Sequence, residues 1–346
     1  MLLQDYRPQS RLVVKKTDVP MPKFPVFDVH THFGKLIMGD CFDELFDAKA
    51  VVASMKAHGI THAVNLDLSF GQTRQRVLKK LEGTGDFFVH FGSVDVARFE
   101  EPGFERMVYQ SIVDGVRIGM RGLKLWKPIG LGYQDKNGRY LRPDDERLHC
   151  IFQTAAEFKL PVLFHIADPV AFFYPVDVHN ERYEELCGHP DWSFADPKFY
   201  RFEELMKMQE HMIAENPDTT FIIAHGGSYS ENLGQVAQWL DRYPNMNIDI
   251  AARISEFGRQ PYSAKVFFEK YYDRILFGTD FTPVDEVFHP VYYRFLETDD
   301  EYFSPTDRDG DPGQGRWNIY GIQLSDRALE HIYHKNAERI LAYDER

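Results

Sequence analysis

The chain has 346 residues, 43% of them hydrophobic and 27% charged, with a formal net charge of −13. That balance is ordinary for a soluble enzyme able to bury a large core without staples. The acidic excess, with no basic run longer than pairs such as Lys15-Lys16, excludes nucleic acid and membrane surfaces as general partners and leaves a small-molecule substrate.

Residues 1–25 are polar and punctuated by proline, and they read as an arm lying on a domain that spans 26–346. Strand and helix patterns then alternate. Short apolar runs predict strands at Val26–His32, Ala63–Leu68, Phe87–Val94, Gly122–Trp126, Pro161–Ile166, Thr219–His225, Met246–Ala251 and Ile275–Asp280. Helical patterns fall between them at Ala48–Ala57, Thr73–Leu81, Gly103–Ile118, Asp144–Phe158, Phe199–Glu215, Ser230–Arg242 and Ala264–Tyr271, and a last helix covers Ser325–Leu341 with Ser325 as its N-cap. This alternation spells an α/β fold, a (β/α)8 TIM barrel, with an open doubly wound sheet as the fallback. Long connections follow strands four (127–143), five (167–198) and eight (281–324), so extra length gathers at the C-terminal face, where barrels build their sites.

Several strands end in metal-competent side chains. His30 and His32 lie two apart on the first strand and so face the same side. The runs after them close on His165, on His225 with Gly226 and Gly227, and on Asp280. A parallel barrel delivers such strand ends to one mouth, where residues distant in sequence converge on one ion. A single histidine of this kind is as readily a rim or core residue; the ordered set of strand ends is the signal. Asp307-Arg308-Asp309-Gly310-Asp311 has the composition of a calcium loop, but its glycine is misplaced and no glutamate follows at the required spacing, so it reads as a solvated loop.

The D-x-H-x-H start from Asp28, the strand-end His165, the His225-Gly226-Gly227 turn and the Gly278-Thr279-Asp280 ending resemble the amidohydrolase superfamily. The closest resemblance is to its single-metal "amidohydrolase 2" branch, which includes aminocarboxymuconate-semialdehyde decarboxylase, resorcylate-type decarboxylases and several lactonases. The segment 119–125 and the tail 334–341 fit the same pattern, so the resemblance covers roughly 24–342. It implies one divalent metal held by His30, His32, His165 and Asp280. Three imidazoles and a carboxylate suit Zn²⁺ best, with Mn²⁺ or Fe²⁺ as alternatives. Asp280 is also expected to take the proton of a metal-activated water, and His225, outside the coordination shell, to polarise the substrate or move a proton. Asp28 is expected to orient an imidazole from behind.

Lys124 has three readings: a carboxylated bridge between two ions, a barrel ion pair, or a substrate contact. The last two are preferred to carboxylation. Trp126, Arg182 and Arg253 join Lys124 as expected substrate contacts, with Asn180-Glu181-Arg182 expected to carry specificity. Lys127, Asp168, Phe172, Phe173, Tyr174, His179, Trp192, Asp249, Phe281 and His289 are placed around the same mouth. The activity expected is hydrolysis of an ester, lactone or amide carbonyl, because the enlarged mouth suits a bulky substrate. The alternative is non-oxidative decarboxylation of an unsaturated or aromatic acid. A non-catalytic metal- or sugar-binding barrel would need a broken constellation, and no expected residue is missing. Three cysteines without framework spacing read as free thiols. With no apolar leader or span, a cytoplasmic location is expected, or a periplasmic or secreted one where a leader has been removed. A homodimer is the default on base rates.

Overall fold

The computed structural model describes residues 10–285, 288–306 and 313–343. Eight parallel strands form one sheet in sequential order: β1 (Val26–Thr31), β2 (Ile60–Ser69), β3 (Phe88–Gly92), β4 (Gly122–Leu125), β5 (Val162–Phe164), β6 (Phe221–Ile223), β7 (Met246–Asp249) and β8 (Ile275–Leu276). The sheet closes on itself. Val29 N–H donates to the Phe277 carbonyl, Asp280 N–H donates to the His30 carbonyl, both over 2.9 Å, and Thr31 bridges Phe281 in parallel. The fold is therefore a TIM barrel.

The principal helices are α1 (Ala48–Ala57), α2 (Gly71–Lys80), α3 (Phe104–Arg117), α4 (His149–Glu157), α5 (Phe202–Glu215), α6 (Leu233–Arg242), α7 (Pro261–Lys270), α8 (His289–Glu297), α9 (Asp326–Glu330) and α10 (Asn336–Leu341). Local chemistry sets several starts. The Asp47 carboxylate accepts from the Lys49 and Ala50 amides ahead of α1, the Asn232 side chain accepts from Gln235 N–H ahead of α6, and Ser325 Oγ accepts from Ala328 N–H ahead of α9. The expected final helix is not continuous. A π-helical turn at His331–Lys335 separates α9 from α10, where the Ile332 carbonyl turns to accept from Phe277 N–H of the barrel wall.

Most strands are shorter than their apolar runs. Hydrophobicity continues to the mouth, but the ladder stops where the chain turns to present a side chain. After β6, for example, His225, Gly226 and Gly227 all take positive φ. The connection after β8 is more than a mouth loop. It contains α8, whose Tyr293, Phe295 and Leu296 are buried, and Ile322 and Leu324 donate back to the Phe295 and Leu296 carbonyls. The N-terminal arm is clamped there too: Thr17 donates to Asp300 through its amide and its hydroxyl, each over 2.6 Å. The calcium-like stretch 307–311 lies outside the described residues. No helix among the described residues is long and apolar enough to cross a membrane.

Candidate metal centre

His30 lies in β1, His32 just beyond it, His165 just beyond β5, His225 beyond β6 and Asp280 beyond β8. All four imidazoles and the carboxylate meet at one end of the barrel. The chain is strained where it presents them: His225, Ala252 and Asp280 have φ of 59°, 53° and 69°, a region non-glycine residues rarely adopt. Gly278 lets β8 approach His30 closely, since a Cβ there would sit 3.0 Å from the His30 Cβ.

Each ring is fixed by a partner on its far side. His30 Nδ1–H donates to Asp249 Oδ2 and His32 Nδ1–H to Asp67 Oδ1, both over 2.8 Å. His225 Nδ1–H donates to the Ala251 carbonyl over 2.9 Å, and His165 Nε2–H to Asp168 Oδ1 over 3.2 Å. Carboxylates and carbonyls only accept, so each partner fixes the tautomer of its ring. The remaining nitrogens point inward, each with a lone pair when its ring is neutral: Nε2 of His30, His32 and His225, and Nδ1 of His165.

These inward atoms crowd together. Asp280 Oδ1 is 3.4 Å from His30 Nε2 and 3.2 Å from His32 Nε2. His165 Nδ1 faces His225 Nε2 across 3.2 Å, lone pair to lone pair. One donor atom each from His30, His225 and Asp280 lies within 4.8 Å of the other two. Burial pushes the His30, His165 and His225 pKa values down, which leaves them neutral at pH 7. Burial also works against the Asp280 carboxylate, but the surrounding imidazoles, His30 foremost, hold it well below the usual range. His32 behaves oppositely. Burial opposes its charge, yet Asp67 and Asp280 raise it to about 9. The neutral imidazoles of His30, His165 and His225 and the ionised Asp280, with His32 able to join by giving up its proton, fit a divalent cation, as does the set of partners behind the rings.

Asp249 ties the centre together. Its Oδ2 holds His30, and its Oδ1 accepts from the amides of His225 and Ala251, over 2.8 and 3.0 Å. Asp28 has a different place. It accepts from His30 through the backbone amide, not the ring, and from Thr279, and the ring it meets is that of His289 on α8, at 3.0 Å. It therefore laces β1 to β8 and α8 under the centre. Lys124, in β4, points its buried Nζ at His30 Nε2 from 3.3 Å, and burial lowers its pKa to about 8.

A cavity of about 480 Å³ opens over the centre, with His32, Lys124, His165, His225 and Asp280 in its floor and Trp126, Phe172, Trp192, Arg182 and Arg253 in its walls. Phe173, Tyr174, His179, Asp249, Phe281 and His289, also expected at the mouth, do not line it. Asn180-Glu181-Arg182 braces the fifth loop. Asn180 Nδ2 donates to the Ala171 and Pro175 carbonyls, and Glu181 pairs with Arg259 at 2.7 Å. Of the three only Arg182 reaches the cavity wall, and its buried guanidinium is held by Glu185 at 2.9 Å and by Glu256. Arg253, also buried, donates to the Ala252 carbonyl and has no carboxylate within ion-pair distance among the described residues. Sequence reasoning passed over Asp67, and gave Asp249 and Asp168 no role. The available signal was an acidic residue near the C-terminal end of an apolar run.

The sequence pattern of a family described as amidohydrolase matches residues 27–342. No curated protein matches the chain. Among solved structures, 2,6-dihydroxybenzoate decarboxylase from Rhizobium superposes with a TM-score of 0.55 at 16% identity, covering 93% of this chain and 99% of that one. Dihydroxybenzoic acid decarboxylase from Polaromonas sp. JS666, solved with bound manganese and 2-nitroresorcinol, gives 0.58 at 15% identity over 93% and 98%. The 4-oxalomesaconate hydratase from Rhodopseudomonas palustris gives 0.53 at 11% over 92% and 96%. At such identities the likeness establishes a shared fold.

Proposed function

Since the chain belongs to the amidohydrolase family, we propose that it is a metal-dependent hydrolase acting on an ester, lactone or amide carbonyl of a small organic substrate. The observation that carries this reading is Asp280 at the cavity floor, its Oδ1 3.4 Å from His30 Nε2 and 3.2 Å from His32 Nε2 and its carboxyl held well below the usual range, so that it is an ionised proton acceptor at neutral pH. His30, His32, His165 and Asp280 would hold one divalent ion, Zn²⁺ on donor chemistry, with Mn²⁺ as the rival suggested by the Polaromonas neighbour. Such an ion supplies Lewis acidity and lowers the pKa of a water toward about 7. Asp280 would accept the proton of the attacking water. His225, its Nδ1–H fixed on Ala251, presents Nε2 to the reacting centre and can relay this proton to the leaving group. Lys124 stands beside His30 as a cation for negative charge developing on the substrate. Trp126, Phe172 and Trp192 exclude water from the cavity walls.

A second reading, non-oxidative decarboxylation, is favoured by Arg253. A buried guanidinium with no carboxylate at ion-pair distance among the described residues suits a substrate carboxylate. In that reaction Asp280, ionised at rest, would first have to take up the proton that it passes to carbon.

The test is a panel of lactones, esters and aromatic acids given to Zn²⁺- and Mn²⁺-loaded protein, following both acid release and CO₂. Acid release without CO₂ is expected; CO₂ without hydrolysis overturns the reading. Elemental analysis should find one ion per chain, and two would restore a carboxylated Lys124. His225→Asn should abolish turnover while keeping the ion. Loss of both would make His225 a ligand.

A further inference from the structure

Lys127 follows Trp126 in the connection after β4, and its Nζ donates to Asp168 Oδ2 over 2.7 Å. Asp168 in turn takes the Nε2–H of His165 on Oδ1. Three side chains are thus linked in series, and the far end of the series is the His165 Nδ1 that faces the metal centre.

Two features make the first link matter. The His165 side chain is 15% exposed, against 1% for His30 and 3% for His32, so packing fixes this ring least. A ring turned over about its Cβ–Cγ bond would put Cδ2–H where the Nδ1 lone pair is needed. The outer hydrogen bond therefore has to choose the orientation. Asp168 is also held differently from Asp249. Asp249 takes the His225 and Ala251 amides on the oxygen that does not touch His30. Asp168 has no backbone donor among the described residues; besides His165 its partner is Lys127. Burial works against the Asp168 carboxylate, but Lys127, ahead of His165, holds it well below the usual range. Lys127 is steered in its turn. Its Nζ lies 5.7 Å over the centre of the Phe194 ring, and Phe194 N–H donates to the Phe172 carbonyl over 2.8 Å.

We propose that Lys127 is a positioning residue for the metal centre: by fixing Asp168 it sets the orientation of the His165 ring, and with it the affinity and geometry of the ion. The proposal rests on the reading above, in which His165 is a ligand. It also sorts the cations of the cavity. Lys127 lines the wall and would pass for a substrate contact, but its charge is committed to Asp168, which leaves Lys124 and Arg253 to face the substrate.

The test is titration of the protein with Co²⁺ against a competing chelator, with the visible absorption of the bound ion as a second readout of ligand geometry. Lys127→Met should weaken binding about tenfold, the lower end for a residue outside the coordination shell, and should shift the spectrum. Lys127→Arg, which keeps charge and reach, should restore most of both. In an Asp168→Ala background Lys127→Met should change nothing further, because the two residues act as one unit. Native affinity and spectrum in a folded Lys127→Met, or in Lys127→Gln where the first does not fold, overturn the proposal even if Tm falls, since a lowered Tm alone is a structural role. An equal loss of affinity in both backgrounds overturns it too. A native protein that takes up no Co²⁺ sinks the metal-dependent reading and this inference with it. Native uptake with silent Lys127 variants sinks this inference alone.

Discussion

The floor of the cavity and its rim are held in different ways. On the floor every imidazole ring is fixed in orientation, because Asp249, Asp67, Asp168 or the Ala251 carbonyl grips its outer nitrogen. These residues come from strand ends, and a shared carboxylate couples them: Asp249 serves His30 and His225 at once. On the rim Trp126, Trp192, Arg253 and Gln314 come from connections, and only some are tied down. The floor therefore tolerates little change and carries the chemistry, whereas the rim can vary and selects what the chemistry acts on.

The sharpest way to break this contrast is at the floor. Asp280→Asn keeps the volume and removes the proton acceptor, so turnover of the metal-reloaded variant should fall about 10³-fold, within the range for loss of a general base. Initial rates with metal content checked on the same sample decide it; near-native rates would move the base elsewhere. Asp249→Ala should act on the ion itself. It frees the His30 ring and leaves the His225 and Ala251 amides unpaired, so metal affinity should fall about 100-fold, the upper end for an outer partner of a ligand. Chelator competition measures this. Asp28→Ala should behave otherwise, because Asp28 braces Thr279 and His289. Its loss should lower stability by about 3 kcal/mol, with metal affinity changed much less.

Metal uptake should also depend on pH through His32. Below about pH 9 its imidazole is protonated in the metal-free protein, held so by Asp67 and Asp280, and an ion must displace that proton. Apparent affinity should thus rise roughly tenfold per pH unit from 7 toward 9, then level off. Asp67→Asn removes the charge that raises His32, so its affinity should level off at lower pH. Identical profiles would show that some other group sets the dependence.

The order of the barrel was readable because its strands are apolar runs and the run ends carry the histidines. The strand limits were not, since hydrophobic patterning continues through residues such as Ile166 and Ala224 that leave the ladder to aim His165 and His225. The donor set was readable by the same logic, from residue type and strand-end position. The partners were not: Asp67 and Asp249 look like any acidic residue on a strand, and only closure of the barrel puts them behind His32 and His30. The two arginines show the same limit. In sequence Arg182 and Arg253 are equivalent candidates, and only packing reveals that Glu185 and Glu256 hold the first.

That difference yields the finest test of the floor–rim contrast. Arg182→Gln leaves Glu185 and Glu256 without their cation, so its expected consequence is a loss of about 3–5 kcal/mol in stability, read as a lowered Tm. Arg253→Gln removes a cation that has no carboxylate within ion-pair distance among the described residues. Its Tm should stay near native, while KM for a carboxylated substrate rises about tenfold and kcat is preserved, as expected when binding common to ground and transition states is lost. Substrates without a carboxylate should not notice the change. A fall in kcat with unchanged KM would instead move Arg253 from the rim into the machinery of the floor, and the boundary drawn between the two would have to shift with it.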